Sequence, residues 1–235
     1  MINWFPGHMT KARRMIAEQS SAVDIICEVA DARIPMSSRN PDLDELTSGK
    51  PRLIILNRID LADSAETARW VNKFKAGEVT VLECDAKSGK DTDRFEAAVR
   101  SALAEKIVRW TERGMGSRPI KAMIAGIPNV GKSSFINKVA RRKAAIASDR
   151  PGVTRGRQWV TAGKGLELLD TPGILWPKIE HEWQGENLAF TGAIKDAVTD
   201  VEAIAVKLFE RLEQTYPALL AARYKLDLDA ASESP

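Results

Sequence analysis

Short apolar runs rich in β-branched residues punctuate the chain at 24–30 (DIICEVA), 52–56 (RLIIL), 79–84 (VTVLEC), 121–126 (KAMIAG) and 166–170 (LELLD). Runs of this length and composition predict strands buried on both faces. Helical spacing of apolar residues between them predicts helices over 64–76, 92–109 and 132–140. Such alternation predicts an α/β fold, a mostly parallel sheet covered on both sides. Beyond Trp176-Pro177 only helical patterns remain, so we divide the chain into an α/β domain (1–175) and a small all-helical domain (176–235). In the latter, Thr199-Asp200-Val201-Glu202 resembles a capping box, and Val201, Ile204, Ala205, Leu208 and Leu212 form a stripe expected to face a core. Gly114-Met115-Gly116-Ser117 breaks the helical pattern and reads as a connector.

Composition narrows the class. The 235 residues are 44% hydrophobic, enough for one ordinary domain with an appendage. No stretch approaches about 18 uninterrupted apolar residues and the amino terminus lacks a secretory pattern, which predicts a cytoplasmic protein with no membrane segment. Cys27 and Cys84 each sit inside an apolar run and are expected to be core thiols rather than parts of a disulfide or metal framework. The net charge of +3 is unevenly spread: residues 176–235 carry 6 basic and 11 acidic groups, leaving 29 against 21 for residues 1–175. Basic residues cluster at Lys11/Arg13/Arg14, at Arg109/Arg113/Arg118/Lys121 and at Arg141/Arg142/Lys143 with Arg150/Arg155/Arg157. Such clusters suit a polyphosphate or an RNA backbone, or serve simply as a solvated face.

Candidate chemistry starts at Gly126-Ile127-Pro128-Asn129-Val130-Gly131-Lys132-Ser133, which fits GxxxxGK[ST] between a predicted strand and a predicted helix. Its backbone amides, those of Val130 and Gly131 among them, together with that of Ser134 just beyond, suit a β-phosphate. Lys132 offers a charge to the β and γ oxygens, and Ser133 a hydroxyl to magnesium. Asp170-Thr171-Pro172-Gly173 closes the next predicted strand, where Asp170 can hold magnesium and the Gly173 amide can meet a γ-phosphate. Thr154, between the two motifs, is the candidate switch threonine of the magnesium shell.

Two further strand ends carry the elements of base recognition. Asn57-Arg58-Ile59-Asp60 resembles NKxD with Arg for Lys, and the Asp60 carboxylate can accept from guanine N1 and the exocyclic amine, a pairing adenine cannot make. Asp85-Ala86-Lys87-Ser88 resembles the SAK loop, in which the alanine amide meets guanine O6. Ordinary GTPases place the phosphate loop first and the base motifs last. Here the base motifs come first, so the fold class expected is a P-loop GTPase with circularly permuted motif order.

That order, with Trp4-Phe5-Pro6-Gly7-His8-Met9, GIPNVGKS and DTPGILWP, resembles the RbgA/YlqF family of ribosome biogenesis GTPases over residues 1 to about 225. The resemblance implies a monomeric GTPase that binds GTP and GDP with magnesium and acts on the large ribosomal subunit and its RNA. It also implies that the helical carboxy-terminal part is shorter than is usual in the family. Ile174 stands where many GTPases have a water-orienting Gln. The resemblance offers His8 as a replacement near the γ-phosphate and Asn129 as a potassium ligand, with Lys132 and Thr154 completing the catalytic set. Two other readings remain open: a GTPase switch that acts without RNA and hydrolyses little, and a P-loop kinase, which would need no guanine pair at Asp60 and Ala86.

Overall fold

A computed structural model describes residues 7–47, 49–140, 158–163, 165–177, 179–194 and 200–226. Five parallel strands and one antiparallel strand form a single sheet: β1 (Ile25–Asp31), β2 (Arg52–Asn57), β3 (Thr80–Cys84), β4 (Ile120–Ala125), β5 (Gln158–Ala162) and β6 (Leu166–Asp170). Their order is β3-β2-β1-β4-β6-β5, with only β5 antiparallel to its neighbour. The permutation is visible here. The strands bearing the base motifs, β2 and β3, precede β4 in sequence and share its sheet through β1, which pairs β2 on one side and β4 on the other.

Every residue of β1 is buried, as a central parallel strand requires. Alternate side chains divide the core. Ile25, Cys27 and Val29 face one layer with Phe95 and Phe135, whose rings meet edge to face at 5.0 Å between centroids. Ile26 joins Ile16 and Leu43 on the other face, and Ala30 joins Val71 and Phe74 beside them. The helices that supply these residues are α1 (Gly7–Ser20), α2 (Asp42–Leu46), α3 (Ser64–Ala76), α4 (Phe95–Ala102) and α6 (Lys132–Val139), with α5 (Ala104–Glu112) following α4 and burying none of its residues fully. Both cysteines are buried thiols, and burial raises the pKa of each, that of Cys84 to about 12.

Three expectations need correction. The helix read over 92–109 is a short 3₁₀ turn at Thr92–Arg94 followed by α4 and α5, because buried Leu103 adopts φ −110° and interrupts the helical backbone. The capping residue of α8 (Val201–Thr215) is Asp200, whose carboxylate accepts from the Ala203 amide, and Thr199 lies outside the described residues. The stripe on α8 is not a core face: Val201 and Ala205 are exposed and Ile204, Leu208 and Leu212 only half-buried. Ion pairs fasten that helix instead, Lys207 to Glu182 and Glu186, and Arg211 to Glu186, on α7 (Glu182–Phe190). The last helix is α9 (Pro217–Tyr224). Among the described residues, no helix is long and apolar enough to cross a membrane.

Candidate functional site

Parallel strands deliver their carboxyl ends to one edge of the sheet, and register aligns Asp31 with Asn57 and Asn57 with Cys84. Asp85, Gly126 and Asp170 stand at or just after the ends of β3, β4 and β6, so every motif read from the sequence within the described residues meets along this edge. Ligands of open α/β sheets bind outside such strand ends.

The loop from Gly126 to Gly131 owes its shape to two glycines. Gly126 has φ 148°, and a Cβ there would lie 2.5 Å from the Val29 carbonyl oxygen. Gly131 has φ 102°, and a Cβ would meet Asn57 Nδ2 at 2.3 Å. Neither position admits a side chain. Lys132, the first residue of α6, is buried and donates through Nζ to the carbonyls of Gly126 (3.1 Å) and Ile127 (2.7 Å). Burial lowers its pKa to about 8, against the attraction of Asp170. Of its neighbours, Val130 is buried, Ser133 half-buried and Ser134 exposed.

Opposite Lys132, Asp170 is buried and its Oδ1 has no hydrogen-bond partner. Burial raises the Asp170 pKa while Lys132 and the Thr171 amide oppose the rise. A buried, unpartnered carboxylate oxygen at Asp170 suits a hard divalent cation with oxygen ligands, the role expected of Asp170. Gly173 packs so closely that a Cβ would stand 2.8 Å from Pro128 Cα and 3.0 Å from Lys132 Nζ. The loop after β6 thus closes directly onto the phosphate loop. Ile174 is fully buried in the layer with Ile16, Met123 and Leu169, and its side chain belongs to the core.

At the base end, Asn57 ties three loops together. Its Nδ2 donates to the Val130 carbonyl and its Oδ1 accepts from the Ala86 amide, each at 2.9 Å. The Ala86 amide, expected to meet guanine O6, donates here to Asn57 Oδ1. Asp85 accepts from the amides of Lys87 and Ser88. A hydrogen bond from the Ser88 side chain, these amides and the Lys87 charge hold Asp85 below the usual carboxylate range. Asp60 is exposed on the 3₁₀ turn Ile59–Leu61, with its neighbour Arg58 in the left-handed region at φ 65°.

Arg58 donates through Nη2 to the Asn129 carbonyl at 2.6 Å and places Nη1 3.7 Å from Asp31 Oδ2. Asp31 is buried at the end of β1 and accepts from Arg33 Nε (2.9 Å) and Nη2 (2.7 Å). Sequence reasoning missed Asp31 and Arg33. The signal available was a charged Asp-Ala-Arg closing an otherwise apolar run. Asn129, left-handed at φ 58°, donates its side-chain amide to the Gly192 carbonyl at 2.8 Å, so its Oδ1 is the atom left for a cation. Thr154 and the cluster from Arg141 to Lys143 lie outside the described residues, and of His8 only the backbone, within α1, is described.

A family model described as "50S ribosome-binding GTPase" matches residues 121–223. The chain is 45% identical over 227 residues to a protein named Ribosome biogenesis GTPase A from Bacillus cereus, covering 97% of this chain and 77% of that one. It is 48% identical to the protein of the same name from Priestia megaterium, covering 96% and 79%. Among solved structures, the GNP-bound YlqF of T. maritima superposes with a TM-score of 0.63 at 28% identity, covering 87% of this chain and 76% of that one.

Proposed function

Because the chain belongs to the RbgA/YlqF family of ribosome biogenesis GTPases, we propose that it is a ribosome assembly factor acting on the large subunit, in contact with ribosomal RNA, and releasing it when bound GTP is hydrolysed. The reaction is attack of water on the γ-phosphorus, giving GDP and phosphate. One observation carries the reading: the bridge from Asn57 to Val130 and Ala86, which fastens both base loops to the phosphate loop. A kinase has no need to couple a guanine-reading turn to its phosphate loop in this way.

In this reading Asp60 pairs with guanine, Arg58 and Lys87 flank the base, and Lys132 with the loop amides of Val130, Gly131, Ser133 and Ser134 neutralises the phosphates. Ser133, Asp170 and Thr154 hold magnesium, which supplies charge against the β and γ oxygens when bound. Potassium is assigned to Asn129 Oδ1. Gly173 contributes its amide at the γ-phosphate, and His8 positions the attacking water. The protein acts as a cytoplasmic monomer, with the GTPase unit at 1–175 and the helical unit at 176–235.

The burial of Ile174 favours one variant of this reading, a switch that turns over slowly alone, since its side chain neither reaches the site nor carries a polar atom. Steady-state GTP hydrolysis should be compared in potassium and in sodium at equal ionic strength, with and without large subunits, for the native chain and His8→Ala. We expect a low rate alone and stimulation by subunits in potassium. Equal rates with and without subunits sink the partner assignment, equal rates in the two salts sink the potassium assignment, and an unchanged stimulated rate in His8→Ala makes that histidine structural.

A further inference from the structure

Asp31 lies outside every motif that reads base or phosphate, yet it is buried, acidic and surrounded by guanidinium groups. Its Oδ1 accepts from the Arg33 backbone amide (3.0 Å) and from Arg33 Nε, and its Oδ2 from Arg33 Nη2. The same Oδ2 stands 3.7 Å from Arg58 Nη1, while the Asp31 amide donates to Ser38 Oγ at 2.8 Å. Arg58 spends its other terminal nitrogen on the Asn129 carbonyl. A continuous polar chain therefore runs from Arg33 through Asp31 and Arg58 to the phosphate loop.

Arg58 is the member of this chain whose orientation has to be held. Its backbone is left-handed, a conformation a non-glycine residue holds only when its surroundings enforce it. A guanidinium with five donors in a planar fork needs acceptors on more than one side to take a single orientation. The Asn129 carbonyl supplies one, and Asp31 is the charged group on the other. Lysine at this position, as in NKxD, would present a single ammonium and need no such second anchor.

We propose that Asp31 is a positioning residue for guanine-nucleotide binding: it fixes the Arg58 guanidinium between the base turn and the phosphate loop, and so sets how long nucleotide stays bound. This rests on the reading of residues 57–60 as the base site. Asp31 touches no nucleotide atom in this scheme and acts only through Arg58.

Dissociation of a fluorescent GDP analogue, chased with excess GDP, tests this in a double-mutant cycle. Asp31→Asn keeps the shape and removes the charge; Arg58→Met keeps an aliphatic stem and removes the guanidinium. Asp31→Asn is expected to speed release about tenfold in the Arg58 protein, but less than twofold in the Arg58→Met background. The same fold-change in both backgrounds overturns the proposal, as does no change in either. Thermal unfolding of all four proteins is followed in parallel. A loss of stability that accounts equally for release in both backgrounds makes Asp31 a structural residue only. Asp60→Asn reports separately on the base site: if that variant keeps native guanine preference, the reading of residues 57–60 fails, and the cycle at Asp31 then shows coupling to the phosphate loop without base selection.

Discussion

Asn57 and Val130 are 73 positions apart in sequence, and the side-chain amide of one donates to the carbonyl of the other at 2.9 Å. The bond is buried, and the second amide atom of Asn57 holds Ala86. One short polar side chain thus secures the spacing between the place for a base and the place for phosphates.

Replacing Asn57 by Ala leaves the Val130 carbonyl and the Ala86 amide buried without partners. The cost is about 2–4 kcal/mol, expected as a lower melting temperature together with weaker GDP binding. Differential scanning fluorimetry with and without nucleotide checks both. A variant that melts with the native protein and is equally stabilised by GDP refutes the bridge.

Lys132 should make nucleotide affinity depend on alkaline pH. In the protein alone its pKa is lowered to about 8 by burial. Bound phosphate supplies negative charge and raises it, so binding takes up a proton wherever pH exceeds 8 but stays below the raised value. Affinity for GDP should fall in that window, by up to about tenfold per pH unit, and stay level below it. Isothermal titration between pH 7 and 9.5 in buffers of different ionisation enthalpy measures the proton directly. The slope should vanish in Lys132→Ala, whose affinity is much weaker throughout.

Asp60 sits exposed on its turn, free to meet a base edge. Asp60→Asn exchanges a charged acceptor pair for one acceptor and one donor, which suits xanthine. Guanine-nucleotide affinity should fall by roughly ten- to a hundredfold, with xanthosine nucleotide preferred. Competition binding with GTP, ATP and xanthosine triphosphate decides it; undiminished preference for GTP contradicts the assignment.

Ile174→Gln, the change that would recreate the residue common in other GTPases, is expected to fail here. Ile174 is fully buried against Ile16, Met123 and Leu169, so an amide in its place is desolvated among carbon atoms. Destabilisation of about 2 kcal/mol or more is expected, with no gain in hydrolysis. A stable variant with a faster basal rate would show that this side chain can swing into the site.

Much of this was legible because it is local. Glycines at 126 and 131 bracket a loop whose backbone only glycine can follow, and the strand and helix beside it have their own periodicity. The five parallel strands announce themselves as apolar runs. β5 did not, because its five residues alternate, with Trp159 partly exposed and Val160 and Ala162 buried, a weak pattern at the end of an uncharacteristic stretch. α1 has only a thin apolar face centred on Ala12 and Ile16. What no local pattern carries is the engagement of the Ala86 amide by Asn57 or of Arg58 by Asp31, since both are decided by how neighbouring strand ends align. The α8 stripe misled for the converse reason: spacing reports an apolar face, and what covers it is a tertiary matter.

The strand order β3-β2-β1-β4-β6-β5 has one more consequence. The first three strands in the chain make one contiguous half of the sheet and the last three the other, and the halves join along a single seam where Ile25–Glu28 run beside Ala122–Ala125. On the proposed reading, base selectivity lies in the first half and phosphate binding in the second, so a bound nucleotide would straddle the seam. During synthesis the leading half emerges with the open edge of β1 waiting for β4, and the pocket comes into being only when that edge is closed. On that reading nucleotide binding requires both halves to be made and joined, and an unpermuted chain, with its phosphate loop first, would complete them in the opposite order.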